Sequence, residues 1–330
     1  MGAASSMRLA GSSRPPEGRM SETPRIAVVV VTYNSARVLA DCLESLPAGA
    51  RGADLVKVVV ADNASCDESV PLAERAGATV VRLGRNAGYA AAINAGVAAL
   101  DREGLLDRVD AVAVLNPDCR AHEGALARLA AALRVPGRGI AVPRLVSPDG
   151  HTHPSLRRAP TVRGALAEAL IGGRLAGRIG RLGEVITDPR RYLVPGTAAW
   201  ATGAALLVSV AAVRDLGPWD ESFLLYSEET EFALRAADRG WTLWYEPESV
   251  VEHIGGEANV NPVLAALLTV NRVRLFRRRR GPVSSLAFYV AVVLGEALRA
   301  LAGRRTARAS LVALLRPSRR MRALPQQSAT

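Results

Sequence analysis

The chain has 330 residues, about half of them hydrophobic, which is enough to bury a sizeable core and too apolar for a disordered polypeptide. Its formal charge of +11 sits at one end: the last sixty residues hold fourteen arginines against one acid, Glu296, so the rest sums to about −2. Cys42, Cys66 and Cys119 have neither paired nor metal-ligand spacing, which argues against a disulfide framework and suits a reducing compartment.

Residues 1–24 are rich in Ser, Gly, Pro and Arg, lack the apolar stretch of a secretory signal, and read as disordered; Met20 is an alternative start just before the first strand. Residues 26–31, 56–61, 79–83 and 111–115 are short Val-rich runs, the pattern of parallel strands buried on both faces. Helical patterns separate them. Val38, Leu39, Cys42, Leu43 and Leu46 recur at helical spacing, and Ser65-Cys66-Asp67-Glu68 reads as a capping box opening the next helix. This alternation specifies a mostly parallel sheet flanked by helices, in which ligands bind beyond the carboxyl ends of the strands.

Those ends are polar: Thr32-Tyr33-Asn34-Ser35, Asp62-Asn63-Ala64-Ser65, Arg85-Asn86-Ala87-Gly88-Tyr89 and Asn116-Pro117-Asp118. Neither a dinucleotide-binding nor a P-loop glycine pattern follows the first strand, so another nucleotide chemistry is implied. Asp62 has two readings, a carboxylate that accepts from a pyrimidine N3–H and a turn or N-cap residue. Residues 151–197 are basic and interrupted by Gly172, Gly173, Gly177, Gly180 and Gly183, an insertion that would face an acceptor. Regular structure is predicted again as a strand at 204–208, a helix at 229–239, a strand at 242–245 and a helix from 262 to 280. The apolar run at 283–295 is shorter than the roughly 20 residues that cross a bilayer, and Glu296 and Arg299 follow it, so a spanning helix is not expected. Arg277-Arg278-Arg279-Arg280 before this run and Arg304, Arg305, Arg308, Arg316, Arg319 and Arg320 after it predict helices lying on an anionic membrane surface.

Taken in order, eight pieces resemble family-2 glycosyltransferases of the GT-A fold, in particular bacterial rhamnosyltransferases acting on polyprenyl-diphosphate-linked sugars. They are Val31-Thr32-Tyr33-Asn34-Ser35, Asp62-Asn63-Ala64-Ser65, Asn86-Ala87-Gly88-Tyr89 with Asn94 and Gly96, Leu115-Asn116-Pro117-Asp118, Thr202-Gly203-Ala204, Trp219-Asp220-Glu221-Ser222-Phe223, Glu228-Glu229-Thr230-Glu231 and His253-Ile254-Gly255-Gly256. The resemblance covers residues 25–280. It implies a Rossmann-like nucleotide-sugar half at 25–150, an acceptor half at 151–280, and a basic amphipathic, membrane-associating segment at 281–330.

The resemblance also implies roles. Thr32, Tyr33, Asn34, Asp62, Asn63, Arg85, Asn86, Gly88 and Asn116 would hold a nucleoside-diphosphate sugar. Asn116-Pro117-Asp118 is similar to the family's Asp-x-Asp metal motif with its first carboxylate replaced, so Asp118 and His253 would ligate Mg²⁺ or Mn²⁺. Glu229 stands where the family usually has a general-base Asp, with Glu228 as its alternative; the bland reading of both is acids at the positive end of a helix. Trp219, Asp220 and Trp241 are candidates to border the acceptor; His122, His151 and His153 match no motif. The expected enzyme inverts at the anomeric carbon and acts on a lipid-linked saccharide, with dTDP-rhamnose the favoured donor over UDP-hexoses or galactofuranose. It would work at the inner face of the cell membrane. The rival readings are a nucleotidyltransferase, which lacks its glycine-rich loop here, and an Arg-rich nucleic-acid-binding protein, for which the last sixty residues supply only Phe276, Phe288 and Tyr289 as stacking aromatics.

Overall fold

The computed structural model describes residues 22–179, 182–255, 261–324 and 326. Residues 1–21, which hold most of the expected disordered segment and Met20, lie outside these, as do Gly180 and Gly256. The elements in chain order are β1 (Arg25–Thr32), α1 (Ala36–Gly49), β2 (Asp54–Asp62), α2 (Ser69–Arg75), β3 (Thr79–Arg82), α3 (Tyr89–Arg102), β4 (Ala111–Leu115), β5 (Cys119–Ala121), α4 (Ala125–Leu133), β6 (Arg138–Val146), β7 (Leu156–Arg157), α5 (Val162–Ile171) and α6 (Gly173–Arg178). They continue with β8 (Gly196–Ala198), β9 (Trp200–Ala201), β10 (Ala205–Ser209), α7 (Val210–Leu216), α8 (Glu228–Asp238), β11 (Thr242–His253), α9 (Pro262–Arg279), α10 (Pro282–Leu301) and α11 (Arg305–Leu315).

The main sheet runs β3-β2-β1-β4-β10-β6-β11-β5, with β8 also paired to β11. Its first four strands are parallel, as the Val-rich runs predict, while β10 and β5 are antiparallel to their neighbours. Alternate residues of β1 enter opposite cores: Ala27, Val29 and Val31 pack with α3, α7 and α8, and Ile26, Val28 and Val30 with α1 and α4. This two-sided burial is why the strand is apolar throughout. Gly96 lets α3 settle on β1, since a Cβ there would meet Val29 Cγ1 at 2.5 Å.

Register fixes what the sheet presents at its carboxyl edge. Thr32 lies opposite Asp62, and Asp62 opposite Arg82, so the polar loops after β1, β2 and β3 emerge side by side. On the other half, antiparallel pairing sets His253 opposite Cys119, beside Asp118.

Three expectations need correction. The 65–68 box does not cap α2, which starts at Ser69 with no side-chain cap from Glu68. Asp67 instead accepts from Ser69 N at 3.0 Å and from Ala36 N at 2.9 Å, and Ser65 Oγ accepts from Asn34 N at 2.9 Å, so these residues join two loops. The strand expected at 242–245 continues to His253. The apolar run does not stop at Gly295: α10 has 20 residues, long and apolar enough by length and composition to cross a membrane. It runs through its charges because Glu296 and Arg299 pair at 2.8 Å within the helix.

The C-terminal helices pack on the body. Phe276 of α9 stacks on Phe288 of α10 at 3.9 Å, in a small core with Ala165 of α5 and Leu314 of α11, so both phenyl rings are buried rather than offered to bases. The insertion is tied to the same helices: Arg272 bridges Glu168 and Glu184, each at 2.7 Å.

Gly88 gives this architecture a sharp test. It has φ +99°, and a Cβ would stand 2.0 Å from Leu224 O. Gly88→Ala is expected to cost about 1–3 kcal/mol through backbone strain and displacement of that carbonyl, read as a lowered melting temperature; an unchanged melt would mean that the turn at 224 yields freely.

Candidate active site

The donor-side loops brace one another. Asn34, at φ +51°, accepts from Cys66 N at 2.8 Å. Asn63 donates to Gly88 O at 3.3 Å and accepts from Ala87 N at 3.1 Å, joining the loop after β2 to the start of α3. The Asp62 carboxylate is buried and accepts from Ser65 N at 3.1 Å, so the turn reading of Asp62 is realised. Thr32 is fully buried, and its hydroxyl has no partner among the described residues. Tyr33 and Asn86 are partly exposed, and Arg85 is exposed. Asn34, Asn63 and Gly88 thus have structural work in shaping the edge on which Arg85, Asn86 and Tyr33 stand.

A second group forms where β4 and β11 end. His253 Nε2 lies 3.5 Å from Asp118 Oδ1 and 3.4 Å from Asn116 Nδ2, while Asp118 Oδ2 accepts from Gly255 N at 2.9 Å. Burial lowers the pKa of His253 against the opposing pull of Asp118, with His153 adding to the lowering. The ring is thereby kept neutral, the form that binds metals. Two donors each about 2.1 Å from an octahedral cation stand about 3.0 Å apart when adjacent and about 4.2 Å when opposite, so the Asp118–His253 separation fits a shared ion. Cys119 Sγ is within 4.8 Å of both, but burial first and Asp118 second push its pKa up, and the thiol bonds Ala204 O at 3.2 Å. Asp118 and His253 fit a hard divalent cation. The His153 ring, unassigned from sequence, has its centroid 6.0 Å from that of His253.

The acid pair opens α8. Glu228 is buried and Glu229 partly so, and each has one carboxylate oxygen, Oε2, buried without a hydrogen-bond partner among the described residues. Burial raises the pKa of both, the charge of Glu229 adding to the rise at Glu228; backbone N–H groups and then Arg157 oppose it at Glu229. A helix N-terminus would by itself stabilise acids in ionised form, so desolvation wins here.

The segment 202–204 joins the two groups. Ala204 O accepts from Asn116 N at 2.7 Å, and a Cβ on Gly203 would lie 3.2 Å from Glu229 Cβ. Tyr89 donates to Gly203 O at 2.7 Å. Burial, and after it the charges of Cys119, Glu228, Glu229 and Asp118, hold the phenol protonated. Tyr89, part of the Asn86-Ala87-Gly88-Tyr89 motif but given no role from sequence, therefore stands between the acid pair and the Asp118–His253 group. Arg157, from the two-residue β7, carried no sequence signal at all. Trp219 and Trp241 are core residues: Trp219 stacks on Phe232 at 4.2 Å, and Trp241 Nε1 donates to Asp215.

The turn before α8 is strained and clamped from both sides. Leu224, Tyr226 and Ser227 have φ of +64°, +68° and +77°. From α3, Tyr89 N donates to Leu224 O at 2.9 Å, and Asn94 holds Trp219 N and O. From α9, the buried Asn271 amide donates to the carbonyls of Phe223 at 2.7 Å, Leu225 at 2.9 Å and Tyr226 at 3.2 Å. Left-handed non-glycine residues persist only where the surroundings over-determine them.

Residues 27–182 match the family described as glycosyl transferase family 2. The chain is similar to the N-acetylglucosaminyl-diphospho-decaprenol L-rhamnosyltransferase of Mycobacterium tuberculosis, 32% identical over 248 residues that cover 70% of this chain and 76% of the relative. Among solved structures it resembles the mannosyltransferase PcManGT from Pyrobaculum calidifontis in complex with GDP-Man and Mn²⁺, with a TM-score of 0.51, 18% identity, and coverage of 94% of this chain and 86% of the other. It also resembles GalNAc-T7 with UDP, GalNAc and Mn²⁺, with a TM-score of 0.51, 17% identity and 77% of this chain covered; it spans 48% of that longer protein. The last two likenesses establish the fold, GT-A.

The acid pair makes a pH-dependent stability prediction. A carboxyl whose folded pKa is raised contributes stability present below the unfolded value, here 4.5, and lost as pH rises through the folded value. Glu228→Gln abolishes that loss, so it should raise the melting temperature at pH 7 and leave it unchanged near pH 4. A lowered melting temperature at pH 7 would mean that the carboxylate is compensated.

Proposed function

The chain belongs to glycosyltransferase family 2, and from that premise we propose that it moves a sugar from a nucleoside-diphosphate donor to a hydroxyl of a polyprenyl-diphosphate-linked saccharide, inverting the anomeric carbon. The observation that carries this is the pairing of a buried acid group with an Asp118–His253 group across Tyr89, in a chain 32% identical to a rhamnosyltransferase acting on a diphospho-decaprenol-linked sugar. Rhamnose from dTDP-rhamnose, used in cell-envelope polysaccharide synthesis, is the favoured donor on that likeness.

Glu229 takes the acceptor proton as the acceptor oxygen bonds to the anomeric carbon and the bond from that carbon to the diphosphate oxygen breaks. Burial raises its pKa, which strengthens it as a base, while backbone N–H groups and then the positive charge of Arg157 oppose that rise and favour the carboxylate that can accept a proton. Glu228 is the more deeply buried acid, and with burial and the charge of Glu229 both pushing its pKa up it retains its own proton, which leaves Glu229 as the acceptor. Asp118 and His253 would hold Mg²⁺ or Mn²⁺, which when bound supplies charge neutralisation on the leaving diphosphate. Thr32, Tyr33, Asn34, Asp62 and Asn63 bound the nucleoside side, with Arg85, Asn86, Gly88 and Asn116 toward the diphosphate.

We place the enzyme at the inner face of the cell membrane, held peripherally. Supporting this, Val283, Leu286, Val290, Leu294, Leu298 and Leu301 form one exposed stripe along α10, and Leu166 and Leu170 of the adjoining α5 are exposed as well. Such a face is larger than isolated surface apolar residues and calls for cover.

Metal-dependent turnover of a sugar-nucleotide panel with a prenyl-diphosphate-linked acceptor tests the activity. EDTA should abolish transfer, and Glu229→Gln should lower kcat by roughly 10²–10⁴-fold with donor Kd nearly unchanged. Full turnover by this variant, or a larger loss in Glu228→Gln, would move the base elsewhere. In flotation with phosphatidylglycerol vesicles, Leu286→Glu with Val290→Glu should reduce recovery severalfold; equal recovery would remove the membrane face.

A further inference from the structure

One face of α9 changes character along its length. Val263, Ala266, Leu267 and Val270 line a cavity in its first half, and Arg274, Arg277 and Arg278 line the same cavity in its second. The positions recur once per turn, at 263, 266/267, 270, 274 and 277/278, so these side chains share one helical face. The facing wall comes from α11 and the segment after it, with Arg308, Val312, Arg319 and Arg320.

Thr269 bonds Ser310 at 3.2 Å, and Leu314, whose carbonyl accepts from Tyr289, joins the Phe276–Phe288 cluster. The two helices therefore run the same way, which carries Arg319 and Arg320 toward the basic end of α9. The cavity has a volume of about 970 Å³, and among the described residues no carboxylate lines it. Arg274 and Arg278 are engaged with Ser222 and Asp220. Among the described residues, Arg277, Arg308, Arg319 and Arg320 form no ion pair, although Arg320 donates to Ala313 O and Leu314 O; Arg308, which donates to Ala300 O, lies beside the apolar half of α9, so Arg277, Arg319 and Arg320 make up the basic end.

A pocket that is apolar at one end and carries guanidinium groups without acidic partners at the other is complementary to an amphiphile with a compact, multiply charged anionic head. Arginine suits phosphate oxygens through its planar fork of donors. A phospholipid offers two chains and one phosphate; a prenyl diphosphate offers one chain and two. Asn271 also lines the cavity, and its amide holds the three carbonyls of the turn that leads into Glu228. We propose that this cavity binds the diphosphate and the first isoprene units of the lipid-linked acceptor, bringing the acceptor sugar toward the acid pair. The proposal rests on the glycosyltransferase reading for the identity of the lipid, while the cavity's chemistry stands on its own residues.

Calorimetric titration of the full chain with farnesyl diphosphate, below its micelle concentration, tests it. Farnesyl diphosphate should bind at least tenfold more tightly than either inorganic diphosphate or farnesol, because both ends of the pocket are engaged. R277A/R319A should weaken it at least tenfold with an unchanged melting temperature, and R277K/R319K should recover part of the loss. Undiminished binding in R277A/R319A overturns the proposal. So does inorganic diphosphate matching farnesyl diphosphate, which would mean an anion site only, or dihexanoyl phosphatidylglycerol matching it, which would mean a general anionic-lipid surface. Hydrolysis of the nucleotide-sugar donor, measured on the same proteins, reads the other claim separately. It should be equal in wild type and R277A/R319A, and its absence in wild type would count against the glycosyltransferase reading while leaving the binding comparison to decide the cavity.

Discussion

Three residues in left-handed backbone conformation, Leu224, Tyr226 and Ser227, lead directly into the helix that carries the acid pair. None is glycine, and each costs on the order of 1–3 kcal/mol unless neighbours impose it. The imposing groups come from distant parts of the chain: the backbone of α3, packed close because residue 88 has no side chain, and the Asn271 amide of α9. The position of Glu229 thus depends on helices more than 100 residues apart in sequence. The acid pair, the donor edge and the C-terminal helices are mechanically one unit, although the chain reads as successive segments.

The two halves of the site follow different logic. On the donor side, parallel register aligns three loops, and asparagine side chains replace the backbone bonds that such loops cannot make with one another. On the other side, one antiparallel pair brings the end of β11 to the residue after Asp118. That single register determines whether the Asp118 and His253 side chains meet, and a slip of one residue would turn His253 to the opposite face of the sheet.

Much of the first half was legible in the sequence because β-branched runs ending in polar residues report strand, burial and edge at once. The strands at 26–31, 56–61, 79–83 and 111–115 appear within two residues of those bounds. What could not be read depended on pairing between distant segments. The antiparallel β10 at the centre of the sheet looks locally like any other apolar run. Ser65 to Glu68 has the letters of a capping box, but tertiary bonds to Asn34 and Ala36 use its side chains first. The apolar run of α10 reads as ending at Gly295 because Glu296 follows it, whereas a salt bridge within the helix accommodates that charge. Arg157 gave no local signal, and Tyr89, though it closes the Asn86-Ala87-Gly88-Tyr89 motif, had no role assigned to it, since the importance of both lies in which charges surround them after folding.

Arg272 lies between Glu168 and Glu184, two acids from the insertion that share one guanidinium, and burial already pushes the carboxyl of Glu184 up. Loss of the arginine alone would strand two desolvated carboxylates facing each other, and loss of one acid alone would leave the remaining pair bearing the full desolvation cost. Viable variation at these positions is therefore expected to be concerted, with all three changing together to apolar residues of similar volume. The triad acts as a ratchet on sequence drift: the loop-rich insertion can change length and composition around it, but its attachment to the helix that carries Asn271 cannot be lost in single steps.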